Sequence, residues 1–87
     1  EKPDMERFRN LAFAYDAINR GGNMPCILNA ANEVVVAAFL KEKTGFLEMS
    51  DIIESVMGKM SFISKPAYDD YVATDREARA MATSMIR

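Results

Sequence analysis

The chain has 87 residues, of which 49% are hydrophobic, and it carries a net charge of −2 with one cysteine and no histidine. That length allows one domain whose stability leans on partners, and the apolar share excludes wholesale disorder. Acidic and basic residues are interspersed, so no basic patch tracks a phosphate backbone, and Asn32 and Glu33 interrupt the only stretch that approaches a membrane span.

No signal peptide is visible, Glu1-Lys2-Pro3-Asp4 reads as a linker, and with no initial methionine the chain is expected to be a domain excised from a longer protein. Asp4 and Glu6 precede an apolar-periodic segment, predicting a helix over about residues 6–20. Its stripe is Phe8, Leu11, Ala12, Tyr15 and Ile18, the expected core face. Phe13 projects opposite, beside Arg9 and Ala17, and is expected on the surface or against a neighbouring domain. Gly21-Gly22 then stops the helix, because glycine takes the left-handed cap conformation without strain.

The second helix, about residues 24–43, organises the rest. Asn23 is placed to cap it and Pro25 is tolerated in its first turn. Ile27, Leu28, Ala31, Val34, Val35, Ala38 and Phe39 share one broad face; Asn29, Glu33, Val36 and Leu40 form the back. A helix so apolar belongs at the centre of a bundle. The valine run favours a strand, but the alanines, Glu33 and the length favour helix.

After Thr44-Gly45 a third helix is predicted over about residues 48–59, with Met49, Ile52, Ile53, Val56, Met57 and Met60 inward. The last, over about residues 66–86, starts at Pro66 and carries Tyr68, Tyr71, Val72, Ala78, Ala82 and Met85 on its stripe. Asp75 falls within that stripe with Arg79 one turn on, so Asp75 is expected to be buried and hydrogen-bonded, to Arg79 first and to Asn29 or Asn32 next. A rival pattern, Thr74-x-x-Glu77, is a capping box that would break the helix at Thr74. The fold expected is all-α, a small four-helix bundle around a central buried helix.

No catalytic template is complete. There is no histidine for a triad, no glycine-rich phosphate loop and no Cys/His cluster for zinc. Cys26 lacks a base and reads as a small buried hydrophobe in a reduced, cytoplasmic protein. The seven methionines read as core filling, and Asp69-Asp70 as a solvated acidic pair. An acyl-carrier reading fails because Ser50-Asp51-Ile52 has the wrong order for an attachment serine.

A resemblance supplies what the chemistry lacks. Gly21-Gly22-x-x-Pro25, Leu28-Asn29-Ala30-Ala31-Asn32-Glu33-Val34 and Ala38-Phe39-Leu40 resemble the C-terminal domain of the 1-deoxy-D-xylulose 5-phosphate reductoisomerase family. Leu11-Ala12, Phe46, Ile52-Ile53-x-x-Val56 and Asp75-x-x-Ala78-Arg79 extend the resemblance over Pro3 to Arg87. It implies a parent enzyme with an NADPH-binding domain, a catalytic domain holding a divalent metal (Mg or Mn), and a C-terminal helical bundle. Such an enzyme rearranges and reduces 1-deoxy-D-xylulose 5-phosphate to 2-C-methyl-D-erythritol 4-phosphate in non-mevalonate isoprenoid biosynthesis. By the same resemblance this chain holds no catalytic, cofactor or metal residue, and its partner is the upstream catalytic domain. Asn29, Asn32 and Glu33 are then structural hydrogen-bonding groups. The alternative is a free-standing helical interaction module, which the upstream gene sequence would distinguish.

Overall fold

The structure is a computed structural model that describes the backbone of residues 5–86 and the side chains of residues 7–86. The expected helix-start acids Asp4 and Glu6 lie outside those described side chains. Four helices follow in order: α1 (Met5–Arg20), α2 (Met24–Leu40), α3 (Phe46–Lys59) and α4 (Tyr68–Ser84). No strand occurs among the described residues, and none of their helices is long and apolar enough to cross a membrane.

Helix α2 is the centre, packing most extensively against α4 and α3 and less against α1. Helices α1 and α4 both pack on α2 but make no packing contact with each other. Ala30 and Ala31 on α2, and Ala78 and Ala82 on α4, are fully buried. Such small side chains let helix backbones approach closely. Met24, Ile27, Val35 and Val56 fill the space between. Helix α2 stops at Leu40, short of the expected residue 43, because the chain turns left-handed at Glu42 (φ 58°). The Glu42 N–H donates to Phe39 O at 2.9 Å and the Lys43 N–H to Ala38 O at 2.8 Å, the two bonds of a Schellman cap built without glycine. The back of α2 stays open, with Val36 partly exposed and Leu40 75% exposed.

Helix α3 buries the expected Ile52, Ile53, Val56 and Met57, and Met49 and Met60 pack at the margin. Helix α4 runs unbroken through Thr74, which is buried in its middle, so the capping-box break does not occur. The acid that does assist its start is Asp70, whose carboxylate accepts the Ala67 N–H at 2.9 Å.

Helix α1 is rotated relative to expectation. Phe13 and Ala17 enter the core, whereas Phe8, Leu11, Tyr15 and Ile18 are 57%, 51%, 61% and 71% exposed. Phe13 is therefore a core residue, not a surface contact. The physical reason is that close packing on α2 and α3 favours the slimmer face, where one aromatic ring sits beside alanines. The bulkier stripe is left over. The molecule is a slab, 43 × 28 × 17 Å, too thin to cover both faces of every helix.

Candidate functional site

The tightest polar site is built around Asn23, at the junction of α1 and α2. Gly21 and Gly22 both take positive φ (64° and 55°), which reverses the chain between the two helices. A Cβ on Gly22 would collide with the carbonyl oxygen of Ile63, so only glycine lets the α3–α4 connection lie against this turn. Asn23 follows, fully buried. Its backbone N–H donates to Ile63 O at 3.0 Å, and its Oδ1 accepts the Ile63 N–H at 2.8 Å. Its Nδ2 donates to Ser61 O at 3.0 Å and to Thr74 Oγ1 at 3.1 Å. One amide thus fastens α2, the α3–α4 connection and α4. Asn23 occupies the expected cap position, yet its side chain makes no capping bond. Sequence reasoning missed this role, and missed Thr74 as its partner, because the contacts span 38 to 51 residues.

The polar residues singled out from sequence gather, with one exception, at the α2–α4 seam. Arg79 Nε donates to Asp75 Oδ2 at 2.9 Å, and Arg79 NH2 donates to Glu33 Oε1 at 2.6 Å. Asn29 Nδ2 approaches Glu33 Oε2 at 3.5 Å. The two carboxylates hold the guanidinium above its usual range, with the Asp75 hydrogen bond the larger cause. Asp75 pairs with Arg79 as expected but is not buried: its side chain is 41% exposed. The buried line on α4 is Thr74, Ala78 and Ala82, and Asp75 sits one position round from it, at the edge of the seam. Asn29 and Asn32 do not reach Asp75. Asn32, exposed, lines the groove between α1 and α2 instead.

Cys26 lies beside the cluster, half-buried, with its Sγ 3.7 Å from Tyr71 O. Burial first, and the negative charge of Asp75 second, push its thiol up, which keeps it protonated and unreactive. A second ion cluster ties α1 to α3, where Arg9 reaches Asp51 at 2.8 Å and Glu54 at 2.9 Å and lies over the Phe13 ring. Ser50 Oγ donates to Asn10 Oδ1 at 3.0 Å on the same interface. Among the described residues no grouping of three or more His, Cys, Asp or Glu could hold a metal ion. These polar sites brace helices; none aligns a nucleophile with a base.

An open groove of about 440 Å³ with largely apolar walls lies between α1 and α2. Ala14 and Ile18 form one wall, Leu28, Asn29 and Asn32 the other, and no charged side chain lines it.

Comparison with known proteins agrees with this architecture. Residues 1–81 match the family model described as the DXP reductoisomerase C-terminal domain. The 1-deoxy-D-xylulose 5-phosphate reductoisomerase of Bacteroides fragilis is 65% identical over 86 residues, covering 99% of this chain and 22% of that protein. The protein of the same name from Porphyromonas gingivalis is 44% identical, with the same coverage of 99% and 22%. Among solved structures, the reductoisomerase from Zymomonas mobilis in complex with NADPH superposes with a TM-score of 0.84 at 41% identity, over 98% of this chain and 22% of that one. The chain therefore spans less than a quarter of the relatives it matches. With the helical architecture and the sequence match in agreement over nearly its whole length, the chain belongs to the DXP reductoisomerase C-terminal domain family.

Proposed function

We propose that this chain is the C-terminal supporting domain of an NADPH- and divalent-metal-dependent reductoisomerase. That enzyme converts 1-deoxy-D-xylulose 5-phosphate to 2-C-methyl-D-erythritol 4-phosphate in the cytoplasm, for isoprenoid biosynthesis. The observation that carries the reading is the full-length match of this chain to 22% of an enzyme whose neighbour was solved with NADPH. The described residues do not fit either cofactor. Among the described residues no acidic cluster could hold Mg or Mn, and Gly22 presses against the Ile63 carbonyl instead of opening toward a phosphate. The cofactor and metal sites of the parent then belong to its other domains, and no reaction step runs through these residues. What the chain contributes is rigidity. The Asn23 amide, the Arg9 pair and the Arg79 pair lock four helices into one unit that can brace a neighbour.

The test is NADPH oxidation by the full-length polypeptide with 1-deoxy-D-xylulose 5-phosphate and Mg or Mn, beside calorimetry of the 87-residue chain alone with NADPH. Turnover is expected from the first and no saturable binding from the second. A full-length polypeptide without turnover would refute the reductoisomerase reading. Micromolar NADPH binding by the short chain would refute the supporting role. An open reading frame that starts near Glu1 would favour the free-standing module.

A further inference from the structure

We infer that the outward face of α1, with the groove it shares with α2, is the seat of the polypeptide that precedes this domain in the parent chain. The inference rests on the reading above that the chain is part of a longer enzyme, and it names the surface through which the two parts meet. Phe8, Leu11, Tyr15 and Ile18 follow helical spacing on one side of α1, and each is more than half exposed. Their periodicity is that of a buried face. Within these residues nothing buries it, because α1 turns its other side, Phe13 and Ala17, to the core. Four large apolar side chains in one line form a patch of the kind that marks an interaction site.

The groove continues this patch. Ile18 belongs to both, and beyond it the walls are Ala14, Pro25 and Leu28 with the amides of Asn29 and Asn32. Each amide offers donors and an acceptor, and no charged group lines the groove. That chemistry suits an uncharged segment that presents apolar side chains and free backbone N–H and C=O groups, such as a loop or an extended strand end. It does not suit a phosphate or a charged peptide.

The occupant is identified by what lies outside the matched segment. The relatives carry more than three quarters of their length there, and the family description makes the matched part C-terminal. The preceding polypeptide therefore comes before α1 in sequence, at the end of the chain that carries the exposed stripe. Another exposed apolar group, Tyr68, Tyr71 and Val72, is on α4, a helix that makes no packing contact with α1. It serves as the control surface.

The experiment uses the full-length polypeptide with the photo-cross-linking residue p-benzoylphenylalanine at position 18 or at position 68. After irradiation the products are sized and mapped by mass spectrometry. Position 18 is expected to join a peptide that precedes Glu1, within a product of monomer mass, and Leu11→Asp is expected to abolish that product. Leu11 is exposed on α1, so this substitution leaves the domain's own core intact. Position 68 is expected to give little or none of it. A position-18 product of doubled mass would assign the face to a second copy and overturn the inference. Equal yields from the two positions, or no product from position 18, would overturn it too. The readout does not involve activity. A polypeptide that forms the cross-link but does not turn over substrate would sink the reductoisomerase reading and leave this surface standing.

Discussion

Replacing Asn23 tests whether one amide holds the junction of three elements. Asn23→Ala removes two donated bonds, to Ser61 O and Thr74 Oγ1, and one accepted bond, from the Ile63 N–H. Each is worth about 0.5–1.5 kcal/mol net, and a buried group left without a partner costs about 1–3 kcal/mol. Ser61 is exposed and its carbonyl regains water, so the stranded groups are the buried Thr74 hydroxyl and the half-buried Ile63 N–H. The expected loss is roughly 2–4 kcal/mol. At about 4–8 °C per kcal/mol for a domain of this size, the Tm falls by roughly 10–25 °C. Thr74→Val removes a single partner and should cost about 1 kcal/mol. Because the two groups touch, the double variant should be less destabilised than the sum, by roughly 0.5 kcal/mol or more. Asn23→Asp is the sharper probe. It keeps the acceptor for Ile63 but sets a buried oxygen against Ser61 O, and burial raises the pKa of the introduced carboxyl in the folded state above its unfolded value. The sign follows: the variant's stability is retained below the unfolded pKa and is lost as pH rises through the folded one. It should therefore unfold at lower denaturant at neutral pH than near about pH 4. Denaturant melts of the four variants decide the matter. An Asn23→Ala variant within about 0.5 kcal/mol of the parent, or an Asn23→Asp variant with no pH dependence, refutes the hub.

Three further outcomes follow from the geometry. Phe13→Ala should cost roughly 3–5 kcal/mol in denaturant unfolding of this chain, whereas Ile18→Ala should stay within about 0.5 kcal/mol; the reverse order would restore the other rotation of α1. Gly22→Ala should destabilise by roughly 2–4 kcal/mol, because the Ile63 carbonyl must move as well as the backbone strain; Gly21→Ala, with open space around it, should cost only about 1–2 kcal/mol. Cys26 should react with a maleimide more slowly in the folded chain than after unfolding, with a folded-state rate that climbs at pH values above the ordinary thiol range. Because its folded pKa is raised, whatever stability it lends is complete below the unfolded pKa and erodes as pH rises through the folded one, which alkaline melts would register.

The sequence by itself determined the four helices, the all-α class, the central position of α2 and the family. Those properties follow from local periods: apolar runs at helical spacing, Gly21-Gly22 and Gly45 between them, and the Leu28–Glu33 text. It also marks Phe8, Leu11, Tyr15 and Ile18 as an apolar stripe at helical spacing and so as the core face of α1, yet the structure leaves that stripe exposed. What the sequence could not determine is which face of α1 turns to the core. Periodicity gives the spacing of a stripe but not its direction, and on α1 the slimmer side with Phe13 and Ala17 went inward. Asp75 shows the same limit, since its pairing with Arg79 was a local spacing and its half-exposure depended on how α4 rolled against α2. The end of α2 at a left-handed Glu42 left no glycine to read. The Asn23 junction, finally, was decided by tertiary structure alone. Its partners Ser61, Ile63 and Thr74 are distant in sequence, and only the packed slab brings a carbonyl, an N–H and a hydroxyl around one amide.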